Sequence, residues 1–242
     1  MSDIINGIAS GLNALMNEYD AVSHNIANSN TAGFKKRLSS FSTKAQNIAG
    51  ENFSPLAGSI DWQVKIDFSQ GPLKRTDRPL DMAMEGKGLL ALESPGGRLY
   101  TRNGSLQINI LGQLTDMNGH LVSGKTGPIT IPRSISDSDI QISSEGAVRA
   151  GQSELGQLKI VEFENIDQLK PAGNGCFRGP EEMVLKPAEN THIRQGYRED
   201  SNVQAVQELT DLLTISRLFE ANTAFLKKSS ENSRVIMGVA NS

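Results

Sequence analysis

At 242 residues the chain can hold one or two domains with a proper core, and its net charge of −3 gives nucleic-acid binding no basic footprint. No stretch approaches the roughly 18–20 consecutive apolar residues that cross a bilayer, which argues against direct membrane insertion, and Met1–Gly11 lacks the basic start and apolar run of a secretory signal. The chain is therefore expected to be cytosolic or to leave the cytosol without a cleaved signal, and the single Cys176 cannot close an internal disulfide.

The first predicted element is a helix. Ile5, Ile8, Leu12, Leu15, Tyr19, Val22 and Ile26 alternate in steps of three and four, the pattern of a coiled-coil seam. The helix is expected from about Asp3, which can cap it, to Asn28. Ser29-Asn30-Thr31-Ala32-Gly33 then stops it, with Gly33 or an asparagine available for a left-handed cap. Lys35, Lys36 and Arg37 fall where positive charge complements the helix dipole. Residues 34–60, rich in Ser, Asn, Gly and Ala, read as an extended connector.

From Asp61 the texture becomes that of strands. Val64, Ile66 and Phe68 alternate with polar residues, as do Leu106, Ile108 and Ile110, then Ile129 and Ile131, then Ile140 and Ile142; Leu158–Phe163 is a further candidate. Pro95-Gly96-Gly97, Asn103-Gly104, Asn118-Gly119 and Glu145-Gly146 punctuate these runs as hairpin turns. Residues 61–196 thus read as an antiparallel β domain able to fold without the ends.

The last segment, 197–242, returns to helix. Ser201-Asn202-Val203-Gln204 fits a capping box. Leu209, Leu212, Ser216, Phe219, Thr223 and Leu226 keep the three-and-four step, with Leu213 and Ile215 widening the stripe. The expected fold is α+β: a central antiparallel β domain flanked by N- and C-terminal helices that pack as a coiled coil. The divisions are 1–33 for the first helix, 34–60 for the connector, 61–196 for the β domain and 197–242 for the last helix.

Catalytic patterns are present but lack their context. Gly119-His120-Leu121-Val122-Ser123-Gly124-Lys125-Thr126 matches the phosphate-loop spacing, and a nucleotide-binding enzyme using Lys125 is the alternative it raises. That chemistry needs a helix beginning at the lysine, whereas Gly127-Pro128 follows at once and Asn118-Gly119 signals a hairpin. Gly86-Lys87-Gly88-Leu89-Leu90-Ala91 resembles a dinucleotide fingerprint without its following helix, and reads better as a turn into a buried strand. His24, His120 and His192 lie far apart and Cys176 has no cysteine neighbour, so no metal-ligand spacing is apparent. Asp137-Ser138-Asp139 starts like a calcium loop but has Ile142 where glycine is required. No catalytic residue, metal or cofactor is expected. Asn25, Asn28 and Asn30 have two readings, simple capping of a helix stop or interfacial amides that fix the register of a helical assembly.

The segment Ser23-His24-Asn25-Ile26-Ala27-Asn28-Ser29-Asn30-Thr31-Ala32-Gly33-Phe34-Lys35 closely resembles the N-terminal signature of the flagellar rod and hook proteins. Further blocks agree with that family. They are Asp67-Phe68-Ser69-Gln70-Gly71-Pro72 running on to Gly86-Lys87-Gly88, Tyr100-Thr101-Arg102-Asn103-Gly104-Ser105, Asp200-Ser201-Asn202-Val203 and Arg217-Leu218-Phe219-Glu220-Ala221-Asn222. The resemblance implies a non-enzymatic subunit of the flagellar basal body that polymerises helically around an export channel. It also implies export through the flagellar type III apparatus, and partners that are copies of itself and other axial proteins, with no nucleic acid and no small-molecule substrate. The terminal helices would form the inner coiled coil, with the β domain outside. The assembly interface would then comprise Ile5, Ile8, Leu12, Leu15, Tyr19, Val22, Asn25, Ile26 and Asn28 with Leu209, Leu212, Leu213, Phe219, Asn222 and Leu226. Length points to the rod rather than the hook. Thr126–Pro132 and the short run from Phe163 to Gly196 look more like the proximal rod subunit than the distal one. Gly196-Tyr197-Arg198-Glu199-Asp200 departs from the Leu-Glu that the distal subunit usually carries there, and puts residue-level transfer at 197–199 in doubt.

Overall fold

The apolar repeat that opens the chain forms α1 (Ser2–Ala27), and the uninterrupted run after Pro187 ends in α2 (Ala205–Ala240). A computed structural model describes residues 2–43, 60–180 and 184–240, with side chains described over 7–40, 62–180, 184–228 and at Glu231. Most of the expected connector, 44–59, and the Ile5 side chain lie outside the described residues. Among the described residues no helix is long and apolar enough to cross a membrane. The chain forms two compact units, one of residues 1–27, 37–65 and 204–242, the other of 28–36 and 66–203.

The first unit holds both helices and a two-stranded sheet of β1 (Arg37–Thr43) and β2 (Ile60–Ile66). Part of the expected connector is therefore a paired strand, one without a period-two signal because its apolar residues Leu38 and Phe41 stand three positions apart. α1 packs against α2 and β1. At 1.5 Å per residue α2 is roughly 54 Å long. Its covered face coincides with the expected seam only in part: Leu212, Ser216 and Leu226 are half-buried, as is Asn222, and Glu208 and Ile215 are buried, while Leu209, Phe219 and Thr223 are exposed. The stripe thus follows Glu208 and Asn222 as well as aliphatics, and a pattern built on apolar residues alone picks Leu209 and Thr223 in their place. Nor does Ser201 cap α2. Its hydroxyl accepts the Val203 N–H at 3.2 Å, and the helix begins beyond, with the Glu208 N–H on the Gln204 carbonyl at 3.0 Å.

The second unit is antiparallel β. Its strands are β3 (Leu73–Arg75), β4 (Met82–Glu85), β5 (Leu89–Ser94), β6 (Gly97–Thr101), β7 (Leu106–Ile108), β8 (Leu114–Asp116), β9 (Leu121–Val122), β10 (Ile140–Ile142), β11 (Ala147–Ala150), β12 (Ser153–Gln157), β13 (Ile160–Phe163), β14 (Lys170–Gly173), β15 (Cys176–Arg178), β16 (Leu185–Pro187), β17 (His192–Gln195) and β18 (Tyr197–Glu199). The main sheet runs β14-β15-β6-β5-β9-β8-β7, with β13 joining β5 to β16; β10-β11-β12 form a second sheet, and β17-β4 and β18-β3 are two-stranded ribbons. Leu90, Leu92, Leu106, Leu114, Ile140 and Val148 share one core; Leu89, Ala91, Tyr100, Val161 and Phe177 share another on the alternate positions of β5. Tyr100 meets Phe163 edge-on at 4.7 Å between ring centroids, within the range aromatic pairs prefer.

Three expected hairpins form: Pro95-Gly96 joins β5 to β6, Asn118-Gly119 joins β8 to β9, and Glu145-Gly146 joins β10 to β11. Asn103-Gly104 does not. Neither residue has positive φ, and Gly104 is glycine for another reason, since a Cβ there would stand 1.9 Å from the Met82 carbonyl oxygen. Ile129 and Ile131 are buried, but their segment pairs only through isolated bridges at Pro128 and Thr130 and forms no strand, since Pro128 and Pro132 offer no N–H to a ladder. Ile110 is 85 % exposed on the turn before Gly112.

Candidate functional site

In the helical unit, the end of α1 is tied by one amide. Asn25 is 1 % exposed; its Nδ2 donates to the Arg37 carbonyl and to Glu208 Oε2, both at 2.9 Å, and its Oδ1 accepts the Arg37 N–H at 2.8 Å. This residue locks the register of α1 against both β1 and α2, and Asn28 Oδ1 accepts the Thr31 hydroxyl at 3.2 Å. The register that Asn25 fixes is thus one within the subunit. His24, half-buried on the same turn, is held below its usual imidazole pKa by burial and then by the Arg37 charge.

The expected interface residues fall into two sets. Ile8, Leu12, Leu15, Val22 and Ile26 on α1 and Leu212, Asn222 and Leu226 on α2 are buried or half-buried, whereas Tyr19, Leu209, Leu213 and Phe219 are exposed. Leu15, Met16, Tyr19, Ile215 and Phe219 line an apolar groove of about 430 Å³ between the two helices, rimmed by Asp20 and Glu220.

The β unit is organised around Glu199, a residue in the stretch where the family pattern had seemed least reliable. Its carboxylate is fully buried. Oε1 accepts from Lys35 Nζ at 2.6 Å and from the Gly71 N–H at 3.0 Å; Oε2 accepts from Arg102 Nη2 at 2.7 Å and Nε at 3.0 Å. Lys35 also donates to the Ser69 carbonyl at 2.6 Å, and Arg102 reaches the carbonyls of Met84, Gly86 and Gly88. Burial lowers the Lys35 pKa against the opposing pull of Glu199. Lys35 is thus a core cation and not the exposed helix-dipole partner it resembles in the sequence. Around this cluster the Glu199 carbonyl accepts the Gly33 N–H at 2.7 Å, and Asn202 bridges the Lys36 N–H and the Asp67 carbonyl. Gly33 has a φ of +68°, and a Cβ on it would lie 2.4 Å from the Asn103 nitrogen. It serves this close approach, six residues beyond the end of α1, rather than a helix cap. Residues from three of the signature blocks, Gly33 and Lys35, Ser69 and Gly71, and Arg102, converge on this one buried glutamate.

Of the nucleotide-like patterns, residues 119–126 form the β8–β9 turn, β9 and an outgoing bridge, with the Lys125 N–H on the Gln157 carbonyl at 2.8 Å. No helix begins there to face a phosphate. Gly86-Lys87-Gly88 leads into the buried strand β5. Residues that sequence spacing left apart do meet elsewhere: ligand atoms of Asp116, His120 and Cys176 lie within 4.8 Å of one another. Burial, with the Asp116 charge, pushes the Cys176 thiol pKa up to about 11.

Three family models match the chain in order: the flagella basal body rod protein over residues 6–35, the flagellar hook protein FlgE/F/G D1 domain over 83–150, and the flagellar basal body rod FlgEFG protein C-terminal over 194–239. The basal-body rod protein FlgF of Caulobacter vibrioides is 30 % identical over 91 % of this chain and 90 % of its own length. This chain belongs to the flagellar basal-body rod protein family. FlgF of Salmonella typhimurium is 31 % identical over 90 % of both chains, and FlgG of Caulobacter vibrioides 32 % identical over 92 % and 94 %. The rod protein described here is accordingly a structural component of the flagellar basal body, a family whose members assemble with other axial proteins. Its matched segments include Lys35, Arg102 and Glu199, three of the residues that make the buried cluster.

Proposed function

We propose that this rod protein polymerises helically around the export channel, its terminal helices packing as a coiled coil whose outer face is completed by neighbouring subunits. The observation that carries this is the apolar ridge on α2. Val206, Leu209 and Leu213, in steps of three and four, are 79 %, 49 % and 61 % exposed, although α2 already covers another face with Leu212 and Ile215. A helix apolar on two sides needs two partners, and exposed apolar surface of this kind marks a protein interface. The groove beside Tyr19 and Phe219 is a different surface from the ridge. A contact between unlike patches is heterologous, and where its rotation does not close a ring it generates an open helical filament. Of the interface residues named above, Leu209 and Leu213 stand on the ridge and Leu15, Tyr19 and Phe219 at the groove; by the same reading Ile5, Ile8, Leu12, Val22, Asn25, Ile26, Asn28, Leu212, Asn222 and Leu226 serve the packing of the helices. The chain is read as the proximal rather than the distal rod subunit on Thr126–Pro132 and the short Phe163–Gly196 run. Export by the flagellar type III apparatus and residence in the rod across the periplasm belong to the same reading, with no cofactor required.

Leu213→Asp tests it. The side chain is exposed in the isolated subunit, so the variant is expected to be soluble and to melt as the parent does. In the polymer it would bury an unpaired carboxylate, at a cost of at least several kcal/mol. Basal bodies from a strain carrying the variant should lack everything outside the point where this subunit joins, while Leu213→Met restores them. Complete rods in the Leu213→Asp strain, with normal protein levels, would refute the proposal.

A further inference from the structure

Asp116 ends β8, His120 stands on the turn into β9 and Cys176 opens β15, a strand that is not a hydrogen-bonded neighbour of either. The fold nonetheless brings their ligand atoms within 4.8 Å of one another. The turn fixes the first two. Asp116 Oδ1 accepts the N–H groups of Asn118 at 2.9 Å and His120 at 2.8 Å, which sets the carboxylate plane and directs Oδ2 to His120 Nδ1 at 2.9 Å. Cys176 is fixed by its ladder pairing with Thr101, and its thiol reaches the Asn174 carbonyl only at 3.8 Å. Asp116 and Cys176 are buried, whereas the His120 side chain is 23 % exposed and leaves one edge of the cluster open to solvent.

A bland account is available: the Asp116–His120 bond closes a hairpin, and Cys176 behaves as a small core residue. It explains each residue separately but not why sulfur, nitrogen and carboxylate oxygen converge. Those three donor types are the ones zinc takes, with three protein ligands and a fourth position left to water in an open site. Two anionic donors, a thiolate and a carboxylate, balance a divalent charge, and the sulfur disfavours calcium and magnesium, which prefer oxygen alone. The carboxylate is further oriented by backbone donors, as outer-shell hydrogen bonds orient ligands in metal sites.

We propose that Asp116, His120 and Cys176 bind a divalent transition metal of the zinc class, its remaining position facing solvent beside His120. The ion would tie the β8–β9 hairpin to the start of β15, parts of the sheet that no ladder joins, and so would stabilise the β unit by mass action.

The test is a Co²⁺ titration of the full-length, reduced protein followed by absorption. Cys176 is the chain's single cysteine, so a thiolate-to-cobalt charge-transfer band within one molecule has one possible origin. The band is expected to saturate at one equivalent, to be displaced by Zn²⁺ and to be absent in Cys176→Ser. In His120→Gln the affinity should fall by about tenfold or more. Added Zn²⁺ should raise the melting temperature of the parent and not of the variants. The proposal is overturned if stoichiometric Co²⁺ gives no such band, or if His120→Gln binds as tightly as the parent. Should Cys176→Ser fail to fold, the parent titration and the surface variant His120→Gln decide the matter alone.

Discussion

Replacing Glu199 by glutamine keeps the shape of the side chain and removes its charge. The carboxylate accepts four hydrogen bonds, two on each oxygen, from Lys35, Gly71 and Arg102. A glutamine amide must turn its NH2 toward one of those pairs of donors, so half of the bonds become donor-to-donor contacts. Lys35 and Arg102 would then face each other in a site where the Lys35 and Arg102 side chains are 0 % and 3 % exposed. Removing one partner from a buried ion pair costs roughly 3–5 kcal/mol. For a unit of this size each kcal/mol moves the melting temperature by about 2–4 °C, so the shift should be on the order of 10 °C. The cluster has two cations for one anion, and burial already disfavours the Lys35 charge. Lys35→Met, which leaves Arg102 and Glu199 as a balanced pair, should therefore cost distinctly less. Differential scanning calorimetry of the full chain, with hydrogen exchange at the β5 and β6 amides to assign the transition, measures both variants. Equal shifts, or a larger loss in Lys35→Met, would refute the argument that Glu199 is the hub.

Three further outcomes follow from the same geometry. A fragment of residues 28–203 should melt cooperatively, whereas 61–196, once expected to suffice, should not: it lacks β18, the partner of β3, together with Lys35 and Glu199, and circular dichroism melts will distinguish the two. Gly104→Ala should destabilise by about 1–3 kcal/mol or more through its clash with the Met82 carbonyl. Gly119→Ala, at a φ of +87° with open space around it, should cost only about 1–2 kcal/mol of backbone strain, and urea titrations of the two variants measure the difference. Because the folded pKa of His24 lies below 6.5, the unfolded chain binds more protons between that value and 6.5. The helical unit should lose stability as the pH falls below 6.5 and through the folded pKa; His24→Gln should remove this component from Trp62 fluorescence unfolding curves taken across that range.

The elements that local sequence specifies were legible. The three-and-four step gives α1 and α2, Ile140-Gln141-Ile142 buries its two isoleucines and exposes the glutamine, and three turn signals close hairpins where local φ preference is enough. What escaped depends on contacts between distant residues. Asn103-Gly104 carries the same letters as a hairpin turn, but its glycine answers to the Met82 carbonyl, twenty-two positions away. Lys35 looks like a surface lysine because its partner is 164 residues downstream. Glu199 also gives no local signal, since its partners Lys35, Gly71 and Arg102 are all remote in sequence. The covered face of α2 was legible only in part, at Leu212, Ser216 and Leu226, because polar Glu208 and Asn222 also occupy it, Glu208 bonded to Asn25. Likewise, the Asp116, His120 and Cys176 cluster has no spacing signature, since β15 joins it from a remote part of the chain.

The central claim is that the second apolar face of α2 is an interface between subunits. A density map of an intact basal body at side-chain resolution tests it most directly. The account predicts that Val206, Leu209 and Leu213 of each copy are buried against a helix of a neighbouring axial subunit around the channel. Density that places this chain in the rod with those three side chains facing open solvent would contradict it.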